Sequence, residues 1–206
     1  MIVSVTILNI GAIGVRSSRY NGQLNPMSYQ PARPDKFSTL RKVEDARANQ
    51  EYHYNMIKGR IAETLIEELF RTMEYNVFRF GMENTVPGIA ELLRDNKSDV
   101  ALTIRRMPDF VVQDQYSGAV SFVEVKFRAS GSFSVDDLKG NYPYPNAFVI
   151  LISRKHIKCL SVKELQNGVC MTPDCHNYLG NRKEFNLDKD LIRDYCQFAI
   201  QFFQYA

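Results

Sequence analysis

Tryptophan is absent from this chain of 206 residues, histidine occurs three times, and there is no C-x-x-C pair. The four cysteines all lie in the last quarter: Cys159, Cys170, Cys175 and Cys196. Structural zinc normally needs four well-spaced ligands. The spacing therefore argues against zinc, although Cys170, Cys175 and His176 leave a metal site open. No stretch has the ~18 apolar residues of a membrane span, so we expect no membrane partner.

A recognisable export signal is also lacking. Residues 1–13 are apolar, but no basic segment precedes them, they contain Asn9, and no small-residue cleavage site follows before Arg16. We therefore expect a cytoplasmic protein whose cysteines are reduced.

The composition is that of a globular protein, with 45% hydrophobic and 24% charged residues. This excludes a wholly disordered chain, a collagen-like chain and a disulfide miniprotein. The length predicts one compact domain. Within it we distinguish a strand, irregular basic arm and helix over 1–55, an α/β core over 56–162, and a C-terminal extension with an amphipathic helix over 163–206.

Charge is distributed unevenly along the chain. The net charge is +5 over residues 1–60, −4 over 61–126 and +2 over 127–206. An acidic middle between basic flanks is what a carboxylate site framed by an anion-binding surface would show. Ordinary scatter of charge is the alternative explanation.

Hydrophobic periodicity predicts a mixed α/β fold. Ala62, Leu65, Ile66, Leu69, Phe70 and Met73 recur every three or four residues. The predicted helices cover 39–50 (capped by Ser38), 56–74, a short stretch from Pro87 to about 95, and 191–203. The predicted strands cover 2–8, 75–80, 110–112, 120–127, 146–153 and 157–162, with an irregular segment over 11–34.

Two carboxylates are predicted to face each other across a hairpin. The segments 110–112 and 120–127 flank the turn-like residues 115–118. A turn centred between Tyr116 and Ser117 places Asp109 opposite Glu124, with Cβ atoms about 4.5–5.5 Å apart. Carboxylates this close repel each other, and a divalent cation such as Mg²⁺ relieves the repulsion.

Lys126 shares a strand face with Glu124 because side chains alternate along a strand. It could orient a water molecule or stabilise an oxyanion. A metal beside a lysine suits the hydrolysis of a phosphate ester. The alternative is a solvent-facing stripe of charges that has no chemical role.

Pro108-Asp109, fourteen residues and then Glu124-Val125-Lys126 resemble the signature of the PD-(D/E)XK nucleases, the restriction-endonuclease-like superfamily. Residues 58–63 (KGRIAE) at the start of an amphipathic helix resemble the first helix of many members. Residues 75–81 (YNVFRFG) resemble the strand that follows it. The pattern is nearest to the Holliday-junction-resolvase-like members, and the resemblance covers residues 56–153.

The resemblance implies a restriction-endonuclease-like core with a mixed sheet flanked by helices. It also implies a nuclease that hydrolyses DNA with Mg²⁺, for which Mn²⁺ would substitute, and without a small-molecule cofactor. Asp109, Glu124 and the Val125 carbonyl would hold the metal, and Lys126 would be the catalytic lysine. Glu63 would bind the metal directly or through water, with Glu67 as its competitor.

Phosphate groups need basic partners. The candidates nearest the predicted site are Arg60, Arg105, Arg106, Arg128 and Lys139. RecB-like members carry a glutamine and a tyrosine on a helix after the lysine. Residues 133–144 contain no glutamine, which argues against that branch. Residues 81–107 are longer than a minimal core needs, as expected of an insertion.

Two other functions remain open at the level of sequence. One is a catalytically silent nuclease-like domain that binds nucleic acid or a protein. The other is an assembly module whose apolar last helix docks another subunit, since many of these nucleases work as dimers. Simple core packing of that helix is the alternative.

Overall fold

The computed structural model describes residues 36–81, 88–93, 95–138 and 140–205. The chain divides into two compact units, residues 1–42 and 43–206. The strand predicted over 2–8 and the irregular segment over 11–34 lie outside the described residues, as do Pro87 and Lys139. The fold described below is that of the second unit.

Five helices and five strands are described. The helices are α1 (Lys36–Thr72), α2 (Ile89–Leu92), α3 (Asp99–Arg105), α4 (Val162–Gln166) and α5 (Lys189–Phe203). The strands are β1 (Tyr75–Arg79), β2 (Phe110–Asp114), β3 (Val120–Phe127), β4 (Phe148–Ile152) and β5 (Ile157–Ser161). The five strands predicted between residues 75 and 162 are therefore confirmed.

Helix α1 is one continuous helix of 37 residues, so the prediction of two helices over 39–50 and 56–74 was wrong. The polar residues between these ranges include no proline, and Gly59 is accommodated within the helix. Ser38 lies inside α1 and does not cap a later helix. The helix ends before Glu74, whose φ of 63° is left-handed and incompatible with further helix.

The strands form one mixed sheet in the order β1-β2-β3-β4-β5. Strands β3 and β4 are parallel, and the other neighbours are antiparallel. Phe110 pairs with Val123 and Val111 with Phe122, which is the register predicted from the turn. This register places Asp109, the residue directly before β2, opposite Glu124 of β3.

A hydrophobic core covers each face of the sheet. On one face, side chains of α1 and α5 such as Phe70 and Phe203 pack on Val123 and Val125. On the other face, Leu138 and Leu165 pack on Val149 and Leu151. Because side chains alternate along β3, Glu124 and Lys126 point to this second face, beside Val149 and Leu151 of β4.

Two short helices were not predicted, although both carry capping signals. Ser98 accepts a hydrogen bond from the Ala101 amide at the start of α3, at 3.3 Å, so part of the predicted insertion over 81–107 is helical. Ser161 and Glu164 form a reciprocal capping box at the start of α4. Among the described residues, no helix is long and apolar enough to cross a membrane.

Candidate active site

The β2–β3 hairpin brings Asp109, Glu124 and Lys126 to one place. Asp109 lies directly before β2, and its Oδ2 accepts a hydrogen bond from the Val125 amide at 2.7 Å. Glu124 lies on β3 and is buried, with 8% of its surface exposed. The hairpin is a local element, so its register alone determines that the two carboxyl groups lie near each other.

These three side chains line a cavity of about 450 Å³. Arginines surround them, and the charged members of the lining are Arg105, Arg106, Asp109, Glu124, Lys126, Arg128 and Asp137. Leu138 and Tyr142 supply less polar wall. The cavity therefore combines three carboxylates, of which Asp137 pairs with Arg128, with a cationic rim that suits a substrate carrying negative charge.

Glu124 has two partners within the cavity. The Lys126 ammonium forms an ion pair with its Oε1, and the Tyr142 hydroxyl donates to its Oε2 at 3.2 Å. Burial opposes the charge on Lys126, but Glu124 and Asp109 outweigh burial and raise the lysine pKa. Burial and the neighbouring Glu124 also raise the pKa of Tyr142. Lys126 is therefore an ammonium and Tyr142 a hydrogen-bond donor at neutral pH.

Asp109 is the most perturbed carboxyl group of this cavity. Burial and the nearby charge of Glu124 raise its pKa to about 8, although Lys126 and the Val125 amide act in the opposite direction. The single ammonium group of Lys126 therefore does not offset the combined effect of burial and of the Glu124 charge on Asp109. Added positive charge at this position would ionise Asp109 and relieve the repulsion.

The donor atoms fit a hard divalent cation. Mg²⁺ takes oxygen ligands from one or two carboxylates and keeps several waters, and Asp109 and Glu124 supply this set. Among the described residues, no group of three or more histidine, cysteine, aspartate and glutamate side chains could hold a metal ion. Asp109 and Glu124 could therefore contribute to such a site, and the resemblance adds the Val125 carbonyl as a further expected ligand.

Of the two glutamates predicted on the first helix, Glu63 is the one that acts on Asp109, whose pKa it helps to raise. Its Oε2 lies 3.8 Å from Arg79 of β1. Glu67 instead forms short ion pairs with Arg71 at 2.8 Å and Arg79 at 2.5 Å. Arg79 therefore pairs closely with Glu67 and only loosely with Glu63. Its close pair with Glu67 is structural.

The predicted phosphate-binding residues do not all lie together. Arg105, Arg106 and Arg128 line the cavity, but Arg105 donates to the Leu93 carbonyl at 2.8 Å. Arg106 donates to the Asn141 carbonyl at 2.8 Å. Arg60 lines a different groove, between α1 and α5, and the structure does not bring it to this cavity.

The alternative of a metal site at Cys170, Cys175 and His176 gains no support, because no metal-binding group of three or more such side chains occurs among the described residues. All four cysteines are free thiols. Cys175 lies 3.5 Å from the ammonium of Lys158, a residue buried in β5. Lys158 donates mainly to backbone carbonyls, including that of Pro173 at 2.8 Å.

Sequence reasoning missed Tyr142, which contacts the candidate metal ligand Glu124. It lies within residues 133–144, the segment that lacks the glutamine of RecB-like members. The structure has a 3₁₀ turn over Val135–Leu138 followed by irregular backbone. A tyrosine in a loop carries no periodic signal, so only the three-dimensional structure could reveal this contact.

Comparison with known proteins adds no relative: no protein-family model matches the chain, and no curated protein matches its sequence significantly.

Proposed function

We propose that this protein is a divalent-metal-dependent nuclease that hydrolyses DNA phosphodiester bonds. The observation that carries the proposal is Asp109, a partly buried carboxyl group that the hairpin register directs toward Glu124 in a cavity with Lys126. Burial and repulsion make this arrangement electrostatically unfavourable for the protein alone. An electropositive ligand removes that penalty.

Asp109 and Glu124 would hold the cation, and Val125 would add its carbonyl. When bound, the cation would polarise a phosphoryl oxygen and lower the pKa of a water molecule. Lys126 already contacts Glu124 and is positioned to donate to a phosphate oxygen or to orient the attacking water. Tyr142 orients Glu124 through its hydroxyl group.

The rim of the cavity provides positive charge for a phosphate backbone. Arg128 is the most open of these groups, because 45% of its side chain is exposed and its ion pair with Asp137 is long, at 3.7 Å. Arg105 and Arg106 are partly engaged with backbone carbonyls, which fixes their position. Such arginines contribute binding without reading base sequence.

The architecture supports the same proposal. A restriction-endonuclease-like core, as implied by the resemblance, has a mixed sheet with flanking helices. The described chain has a five-stranded mixed sheet with α1 and α5 on one face. Fold alone does not define an activity, so the weight of the argument rests on the side chains of the hairpin.

A cleavage assay with purified protein tests the proposal. Supercoiled plasmid, linear duplex, a four-way junction and single-stranded DNA would be incubated with Mg²⁺, Mn²⁺ or EDTA. We expect cleavage with either metal, none in EDTA, and at least a roughly 1000-fold lower rate for Asp109→Asn. Asp194→Asn, on an exposed position of α5, is the matched control and should cleave normally.

Two outcomes would contradict the proposal. Full activity of Asp109→Asn would remove this residue from the site. Absence of cleavage on all four substrates, together with DNA binding that persists in EDTA, would favour the alternative of a silent nucleic-acid-binding domain.

A further inference from the structure

The turn between β4 and β5 lies beside the candidate active site. Strands β3 and β4 are parallel, so their carboxyl ends meet at the same edge of the sheet. The Arg128 amide, directly after β3, donates to the Ile152 carbonyl at the end of β4, at 3.0 Å. Residues 153–156 follow at once and present Arg154, Lys155 and His156.

Two cavities adjoin this turn, and both are rich in basic side chains. The first, about 400 Å³, is lined by Arg154, Lys155, His156 and Lys158, with Asp174 as the single carboxylate. The second, about 430 Å³, shares Lys155 and His156 and continues to Lys189 and Arg193, with no carboxylate in its lining. Arg193 pairs with Asp190 outside that lining.

The turn holds its basic residues in a fixed geometry. The buried Ser153 hydroxyl accepts hydrogen bonds from the amides of Lys155 at 3.3 Å and His156 at 3.0 Å. Ser153 and His156 also bond through their backbones at 3.0 Å. A rigid turn loses little conformational entropy when its side chains bind a ligand.

The local potential is positive even beneath the surface. Lys158 is buried in β5, and its amino group donates to the backbone carbonyls of Thr172 and Pro173 and contacts the Cys175 sulfur. Burial and the charges of Lys158 and Lys155 lower the pKa of His156. An anion bound here would therefore meet positive charge from the turn and from the strand below it.

We propose that the β4–β5 turn binds backbone phosphates of the DNA strand next to the phosphodiester bond that is cut, through Arg154 and Lys155. The proposal rests on the proposed nuclease function, because Arg128 of the catalytic cavity directly precedes Ala129 of the first basic cavity, and this proximity favours the substrate itself as the polyanion. A polyanion of regularly spaced phosphates could span the catalytic cavity and the turn together. The contact would be independent of base sequence.

A binding experiment tests this role without relying on cleavage. Fluorescence anisotropy would measure binding of a labelled duplex in EDTA over a series of salt concentrations. For Arg154→Ala/Lys155→Ala we expect the Kd to rise roughly tenfold or more, and the slope of log K against log salt to fall by about 1.8 for two lost phosphate contacts. Lys163→Ala/Lys183→Ala removes two exposed charges outside both cavities and should leave both quantities unchanged.

The cleavage assay then separates this inference from the proposed function. With Mg²⁺, the double variant should show a raised KM and an unchanged kcat, because its chemistry is intact. Cleavage that depends on Asp109, combined with unchanged DNA binding by the double variant, would overturn the inference and leave the nuclease. Weakened binding by the double variant in a protein that never cleaves would overturn the nuclease and support the turn as a DNA contact. Failure of the wild-type protein to bind DNA, or an equal loss in the control variant, would overturn the inference.

Discussion

Two carboxylate clusters lie on the same sheet and have opposite electrostatic character. At the start of α4, Glu164 accepts hydrogen bonds from the Ser161 amide at 2.7 Å and from Arg182 at 2.9 Å. Burial alone would raise its pKa, but Arg182 and Ser161 outweigh burial and lower it to about 2. In the β2–β3 hairpin, burial and Glu124 raise the pKa of Asp109 to about 8.

The two pKa values differ because Glu164 and Asp109 have different sets of hydrogen-bond and ion-pair partners. Arg182 is a single cation shared by Glu164 and Glu184, but Glu164 also receives two donors from Ser161 and remains ionised. Asp109 and Glu124 share the single ammonium of Lys126, and burial withholds the compensating water. The carboxylate with a full set of donors thus has its pKa lowered, whereas the one that faces a second carboxylate has its pKa raised, as is common at functional sites. The comparison thus identifies the Glu164 cluster as structural.

The test with the largest expected effect replaces one carboxylate in each cluster by the corresponding amide. In EDTA at pH 8, Asp109→Asn should raise the free energy of unfolding by roughly 3 kcal/mol, because the amide keeps the bond from Val125 without the buried charge. Glu164→Gln should lower it by about 1 kcal/mol, since solvent screens this partly exposed pair. Urea unfolding measures both values. If both substitutions changed the free energy of unfolding in the same direction, the two clusters would not differ electrostatically as described.

A second test follows the pH dependence of stability. Between about pH 4 and pH 8, folded Asp109 keeps a proton that the unfolded chain has released. The contribution of this proton to the free energy of unfolding is therefore complete at low pH. It falls by up to about 1.4 kcal/mol for each unit of rising pH until the pKa of folded Asp109 is passed. Thermal or urea unfolding in EDTA from pH 5 to 8 should show this slope in the wild type.

The control variants sharpen the pH test. Asp109→Asn should remove the slope, and Glu164→Gln should keep it, because the lowered pKa of Glu164 affects stability only between about pH 4.5 and pH 2. Parallel profiles for wild type and Asp109→Asn would show that Asp109 is already ionised in the folded protein.

The smallest expected effect belongs to the hydroxyl group that orients Glu124. Tyr142→Phe removes the donor at 3.2 Å and keeps the buried ring, so the free energy of unfolding should change by less than about 1 kcal/mol. We expect the cleavage rate to fall by less than roughly tenfold. Tyr144→Phe, whose hydroxyl bonds to the Thr103 carbonyl instead, should cleave at the wild-type rate. Equal rates for both variants would exclude an orienting role for Tyr142.

The hairpin and its register could be predicted from sequence because both are local. A short turn fixes which residues face each other, so the position of Asp109 opposite Glu124 followed from counting along the chain. The central strand β4 was equally clear, because its run of apolar residues fits only a strand covered on both faces. In both cases, neighbouring residues carry all the information.

Other features depended on residues distant in sequence. The sequence offered Glu63 and Glu67 one turn apart on the same helix, and the choice between them depends on Arg79 of a different element. The break predicted within α1 had no proline to cause it, and the helix continues. The contact of Tyr142 with Glu124, and the position of the Arg154–Lys155 turn near the end of β3, depend on the arrangement of the sheet.

The raised pKa of Asp109 has a consequence for how this chain could change under mutation. An asparagine at this position would keep the hydrogen bond from Val125 and remove the buried charge, so selection for stability alone would favour the replacement. Proteins drift readily toward stabilising substitutions at sites where function does not oppose them. Keeping an aspartate at position 109 therefore opposes the drift toward stabilising substitutions. If the proposed nuclease activity ceased to be under selection, position 109 is where we expect the lineage to lose its carboxylate first.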